Sequence, residues 1–247
     1  MNLDTKRQYR DIGEQLKQDL ASGLYAIGTR LPPEREIAER FGIGRSVVRE
    51  ALIMLEIEGY VAVRKGSGIY VIAMPQMSAT SQAPAMIGPF EMLQARQLLE
   101  SNIAEFAALQ VTPSDIQKMR AALEAERRDL ESGEGEDGDR DFHQAIAEAT
   151  HNNLLVDLWQ HSWESRDNNP MWQHLHERIA SYEYRQEWLK DHQAILAAMQ
   201  KKDPAAAKLA MWTHLENVKQ RLMELSDVDA PEFDGYLFAS YPVRFAS

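Results

Sequence analysis

From residue 89 to residue 226 the chain offers helix after helix and no strand. Apolar residues recur at three- and four-residue spacing through FEMLQARQLLESNIAEFAALQ, PSDIQKMRAALEAERRDLES, DRDFHQAIAEATH, LLVDLWQHSWESR, YRQEWLKDHQAILAAMQ and DPAAAKLAMWTHLENVKQRLMEL. Each stretch carries an apolar stripe that must be buried against another helix, which limits this part to an all-α bundle of six or seven helices. SGEGEDGD, residues 132–139, is the clearest break and reads as a loop. With 44% hydrophobic residues the chain can supply a real core. It contains no cysteine, so any metal must be held by carboxylates and by some of its seven histidines.

The first seventy residues follow another plan. Ile12, Leu16 and Leu20 mark a helix that stops at Ser22-Gly23, and Pro32-Pro33 precede a short helix with Ile37, Ala38 and Phe41 on one face. Gly42-Ile43-Gly44 then turns into RSVVREALIMLEIEGY, where Val48, Ala51, Leu52 and Leu55 share a face while Arg45, Ser46 and Arg49 crowd the N-terminal end. Helix, glycine turn, helix is a helix-turn-helix pattern. VAVRKGSGIYV adds a hairpin with a basic, glycine-rich tip at Lys65-Gly66, which reads as a wing.

Charge separates the two parts. Residues 1–70 carry a net +1, and the remainder carries −12 of the total −11. An acidic body is repelled by phosphate, so only the first part can read nucleic acid. An arginine-bearing helix fits the major groove and a small wing tip can approach the backbone or the minor groove. Arg35, Arg45 and Arg49 are expected at bases or phosphates, with Ser46, Lys65 and Gly66 beside them. No apolar run is long enough for a membrane span, and the N-terminus lacks the apolar core of a signal peptide, so a cytoplasmic location is expected. The resulting fold class is mainly α, a winged helix-turn-helix over 1–73, a Pro/Ser/Ala-rich linker over 74–88, a helical domain over 89–226 and a tail over 227–247.

Asp139 and His143 stand at i and i+4 on one helix face. Such a pair is either an exposed ion pair or half of a metal site. In the second case a bundle would bring further ligands from opposed helices. His192 and His214 each sit among apolar neighbours on a later helix, although a lone histidine on an apolar face can equally be a satisfied core residue. Three imidazoles and one carboxylate suit Zn²⁺ or a similar divalent ion. His151, His161, His174 and His176 match nothing comparable and are expected at the surface or lining a pocket, and core packing is the better reading for most of the tryptophans.

LPPEREIAERFGIGRSVVREALIMLEIEGYVAVRKGSGIYV resembles the winged-helix domain of the GntR family of bacterial transcription regulators. One departure is Gly44, where many members carry Ser or Thr as the cap of the reading helix; glycine there loses any contact from that side chain. The second half resembles the FCD ligand-binding domain of the FadR subfamily, whose pattern of Asp, three residues, His, then one His on each of two later helices is matched by Asp139, His143, His192 and His214. Across nearly the full chain the sequence is similar to hexuronate-utilisation repressors of the Uxu and Exu types, closer to the Uxu type in RDNNPMWQHLH and FDGYLFASYPV. That resemblance implies a sugar-acid effector such as fructuronate, with glucuronate or galacturonate as competitors; the expected mechanism is a homodimer on a palindromic operator, released when the effector binds.

A hexuronate presents one carboxylate and several hydroxyls. Arg96 and Arg166 are candidates for an arginine fork, and Asn168 and Asn169 for the hydroxyls. The alternative for Arg96 is pairing with Glu100 along its own helix. Three other classes compete: a metal-dependent enzyme acting on a sugar acid, an architectural DNA-binding protein without effector, and a regulator whose signal is the metal. No general acid or base is placed by motif beside the ligands, and an enzyme has no need of an N-terminal reader.

Overall fold

The computed structural model describes residues 8–64, 67–75, 87–133, 137–173 and 182–226. These form two compact units. One contains the chain up to Glu91 together with the described residues 169–173 and 222–226; the other contains the rest of the bundle, from Met92 to Arg221. The expected linker lies largely, and the tail wholly, outside the described residues, as do Lys65, Gly66, His174 and His176.

In the N-terminal unit, α1 (Gln8–Ala21) packs on α3 (Arg45–Ile57) and the short α2 (Glu34–Phe41) joins them. Leu16, Leu20, Ile37, Val48, Ala51, Leu52 and Leu55 are all buried, so the apolar stripes read from sequence do form this core. Gly42 ends α2 at φ 65°, the left-handed region where a side chain would be strained, and Gly44 caps α3 with no side chain to help. The wing is a two-stranded antiparallel hairpin, β1 (Val61–Arg64) on β2 (Gly68–Val71), with Val61 opposite Val71 and Arg64 opposite Gly68. Gly68, at φ 108°, lies against Arg30, whose Nε would be 2.2 Å from an added Cβ.

The bundle consists of α4 (Pro89–Gln110), α5 (Pro113–Ser132), α6 (Asp137–Glu148), α7 (Asn153–Asp167), α8 (Tyr182–Lys201) and α9 (Pro204–Ser226). α5 opens on a capping box between Thr112 and Asp115, and Asn152 caps α7 by accepting from the N–H groups of Leu154 and Leu155. The expected loop at 132–139 is shorter than its composition suggests, because Asp137, Gly138 and Asp139 already form the first turn of α6, where acidic residues are favoured. Ile103, Ala104, Met119, Phe142, Ile146, Trp163, Ile195, Met199, Met211 and Leu215 fill the core. All five tryptophans are buried. Among the described residues no helix is long and apolar enough to cross a membrane.

Within the N-terminal unit the carboxyl of Glu50 on α3 accepts from the N–H of Phe90 at 2.9 Å and of Glu91 at 3.4 Å, at the start of α4. Burial pushes it up from an ordinary 4.5 to about 8, overcoming the pull of those two donors, with the charge of Glu91 adding to the rise. The folded protein therefore holds this proton more tightly than the unfolded chain does. The resulting stability is complete below the unfolded value and is lost as pH rises through about 8. Denaturant unfolding at pH 7 and pH 9 is expected to show a fall in stability that Glu50→Gln flattens; an equal fall in the variant would contradict the assignment.

Candidate functional site

Asp139 and His143, one turn apart on α6, do share a face, and that face meets His192 of α8 and His214 of α9. One ligand atom from each of the four residues lies within 4.8 Å of all the others. His192 is the hub: its Nε2 is 3.2 Å from Nε2 of both His143 and His214, and 3.6 Å from Oδ1 of Asp139. His143 Nε2 is 3.7 Å from the same Asp139 oxygen. The three imidazoles are buried and Asp139 is partly exposed.

Each outward-facing Nδ1 has its own carboxylate. His143 Nδ1 is 2.5 Å from Glu100 of α4, His192 Nδ1 is 2.8 Å from Glu126 of α5, and His214 Nδ1 is 3.4 Å from Asp191 of α8. A carboxylate at Nδ1 holds the proton there and turns the Nε2 lone pair inward. Three lone pairs then converge beside an anionic oxygen, an arrangement that repels itself unless a metal ion or a shared proton sits among them. This is the donor set of a divalent ion such as Zn²⁺ with coordination left over, and the residues fit it. Of the two readings open in the sequence, an exposed ion pair on α6 is inconsistent with this geometry.

The electrostatics differ from one histidine to the next. Burial and the charge of His192 push His214 down to about 4, favouring the neutral, ligating form. Burial also acts to lower His192, but the hydrogen bond and charge of Glu126, with Asp139 and Asp191, raise it on balance. Burial would raise Asp139; His143, His192 and Arg166 outweigh it and bring the carboxyl down to about 2. Glu100, fully buried, is likewise held well below the usual carboxylate range by Arg96 and His143.

Arg96 and Arg166 flank this cluster around one aromatic ring, with their guanidinium carbons 4.7 and 3.8 Å from the Trp163 centroid. Arg96 is buried and its Nε lies 2.5 Å from Glu100, the along-helix pair weighed from sequence, so it is tied through Glu100 to His143. Arg166 reaches Asp139 at 3.7 Å and Asp167 at 3.0 Å. Burial and the neighbouring charge of Arg96 lower its pKa, so two cations share one desolvated corner. Glu100, Asp139 and Asp167 stand against these two cations. The asparagines have other tasks. Asn168 is exposed at the C-terminus of α7. The buried Asn169 donates to the carbonyl of Ile87 at 2.6 Å and accepts from the N–H groups of Met171 and Trp172, which corrects its expected place among hydroxyl ligands. His151 and His161 are exposed, His151 lying 3.2 Å from Asp115. Glu100, Glu126 and Trp163 went unread as site residues, since only the tertiary fold turns them inward. Asp191, next to His192 in the chain, offered the one local hint.

At the N-terminal reader the structure divides the expected residues. Arg35 is exposed, with 73% of its side chain accessible, and pairs with Glu39 of its own helix at 3.2 Å. Arg45, Ser46 and Arg49 are buried, contrary to a simple surface reading. Arg49 forms a two-pronged pair with Glu34, Nε donating to Oε1 at 2.8 Å and Nη2 to Oε2, and its Nη1 donates to the carbonyl of Met223 near the end of α9. Arg45 adds a contact to Glu34 at 3.6 Å.

A winged helix-turn-helix joined to a helical domain with a buried, ligand-ready polar centre defines a DNA-binding transcription regulator. Residues 8–71 match the model of bacterial regulatory proteins of the gntR family and residues 91–217 match the FCD domain, and the chain belongs to the GntR family with an FCD domain as its second part. It is a regulator, not an enzyme. It is 58% identical to the Uxu operon transcriptional regulator of Escherichia coli (strain K12), covering 96% of this chain and 95% of that one. It is 52% identical to the Uxu operon regulator of Haemophilus influenzae, covering 96% and 90%, and 47% identical to the Exu regulon transcriptional regulator of Escherichia coli (strain K12), covering 97% and 94%. Among solved structures, E. coli McbR/YncC has the same fold at a TM-score of 0.50 and 21% identity, covering 88% of this chain and 97% of that one.

If these four residues hold the ion, adding Zn²⁺ to metal-stripped protein stabilises the fold by about 2.7 kcal/mol at about 100-fold excess over Kd. The measurement is thermal unfolding with and without Zn²⁺; His192→Ala is expected to lose the shift, and a full shift in that variant would move the site elsewhere.

Proposed function

We propose that this regulator is a homodimeric repressor of hexuronate-catabolism genes, released from a palindromic operator when a sugar acid such as fructuronate binds at the metal centre. The observation that carries the reading is the closeness of an Asp–His₃ donor set to two buried arginines around Trp163. A divalent ion of the Zn²⁺ kind held by Asp139, His143, His192 and His214 supplies a positive centre for carboxylate and hydroxyl oxygens. Arg166 and Arg96 orient the effector carboxylate, and Trp163 keeps both guanidinium groups against its faces. The identity to Uxu operon regulators supports a hexuronate over other anions.

On DNA, two readers bind half-sites about one helical turn apart. Arg35 and the wing tip at Lys65-Gly66 contact phosphates or bases directly. Arg45, Ser46 and Arg49 join them only after α3 lets go of Glu34 and Met223. The next residue, Glu50, holds the start of α4, the helix bearing Arg96 and Glu100, while Met223 lies in the last turns of the helix bearing His214. The effector therefore acts on the two helices whose ends the reading helix grips, and a difference in its affinity for the two arrangements is what drives release.

Fluorescence anisotropy on a palindromic site from the protein's own upstream region, titrated separately with fructuronate, glucuronate and galacturonate, tests this. Release by one of them at sub-millimolar concentration is expected, and Arg166→Ala is expected to bind DNA but resist release. Release by none would overturn the hexuronate reading. Loss of DNA binding on chelation alone, with every hexuronate inert, would make the metal the signal.

A further inference from the structure

Gly138 lies one residue before Asp139, in the first turn of α6, and its backbone is packed against α5 more closely than any side chain allows. A Cβ there would meet the backbone of Glu126, 2.1 Å from its N and 2.3 Å from its Cα. Its φ is not in the positive range, so glycine is required here for space and not for conformation. The Gly138 N–H donates to Asp129 at 2.9 Å, a second tie between the same helices. The residues on either side of this contact are the ones that matter for the centre: Asp139 follows Gly138 and faces His192 Nε2, and Glu126 faces His192 Nδ1.

We propose that Glu126 and Gly138 are positioning residues of the metal centre: Gly138 lets α6 close on α5 so that Asp139 and Glu126 reach the two nitrogens of His192. The inference rests on the metal reading of the four-residue cluster. Glu126 accepts the Nδ1 proton and so commits His192, the hub between His143 and His214, to presenting its Nε2 lone pair inward. Phe142 lies over the same ring at 4.8 Å between centroids and holds its plane. Glu126 is itself buried, and a buried carboxylate whose partner is one imidazole is costly without a positive charge close by. Outer carboxylates of this kind are worth about 10–100-fold in metal affinity.

The test uses the full-length protein and two readouts. Competition titration of Zn²⁺ against a chromophoric chelator is expected to show Glu126→Gln weakened by about 10–100-fold. Gly138→Ala is expected to fall in the same direction, while Glu124→Gln, an exposed position on the same helix, matches wild type. Glu126→Gln keeps the shape and one acceptor oxygen, so it separates the role of the charge from any misfolding in Gly138→Ala. In metal-stripped protein the ¹⁵N spectrum of His192 is expected to show Nδ1 protonated in wild type and a tautomer mixture in Glu126→Gln. Unchanged Zn²⁺ affinity and tautomer in Glu126→Gln would overturn the assignment with the metal reading intact. Zn²⁺ uptake by no variant, wild type included, would remove the metal reading and this assignment with it.

Discussion

Three imidazole nitrogens aimed at one point inside an apolar bundle are the constraint around which the second half of this protein is arranged. They come from α6, α8 and α9, and the carboxylates that orient them come from α4, α5 and α8, so most of the bundle helices have a polar side chain committed to one centre. Burying those groups is unfavourable taken singly. It becomes tenable when every Nδ1 has a carboxylate and the inward Nε2 atoms share a cation. The same commitment fixes where Arg96 and Arg166 sit, since each is ion-paired with a carboxylate that also faces one of these histidines.

The reading unit is governed by a second buried ion pair. Arg49 and Glu34 are both almost wholly removed from water, and two-pronged geometry together with the Met223 carbonyl compensates the desolvation. A pair of this sort adds little net stability and much definition: it has one good arrangement, and leaving it requires a replacement partner for the guanidinium. A DNA phosphate or a guanine edge is such a partner. Under the proposed function the buried placement seen here is one of two positions of this side chain, the other being at DNA, and Glu50 and Met223 would link the choice to α4 and α9.

Much of this was legible in the chain. Period and punctuation placed the helices of both halves, the wing followed from β-prone runs around a glycine tip, and the i,i+4 spacing of Asp139 and His143 put half of the centre on one face. His192 and His214 were visible as histidines among apolar neighbours on later helices, which made them candidates to complete the pair, and resemblance to a family pattern strengthened that reading. Glu100 and Glu126 were invisible because an acidic residue in an amphipathic helix looks solvated until the tertiary fold turns it inward. Arg49 shows the same limit in reverse: its position at the start of a reading helix says what it could touch, and only packing says what it touches instead. Asn169 was misjudged because a short helical segment after it, at 170–173, takes its amide as a cap.

The central claim is that the four-residue centre holds a divalent ion on which the effector sits. Metal-edge X-ray absorption on Zn²⁺-loaded protein, with and without fructuronate, tests it most directly. The account predicts a shell of three imidazole nitrogens with carboxylate oxygen, and a change in the oxygen contribution when the sugar acid is added. A spectrum without imidazole scattering, or one that fructuronate at saturating concentration leaves unchanged, would contradict it.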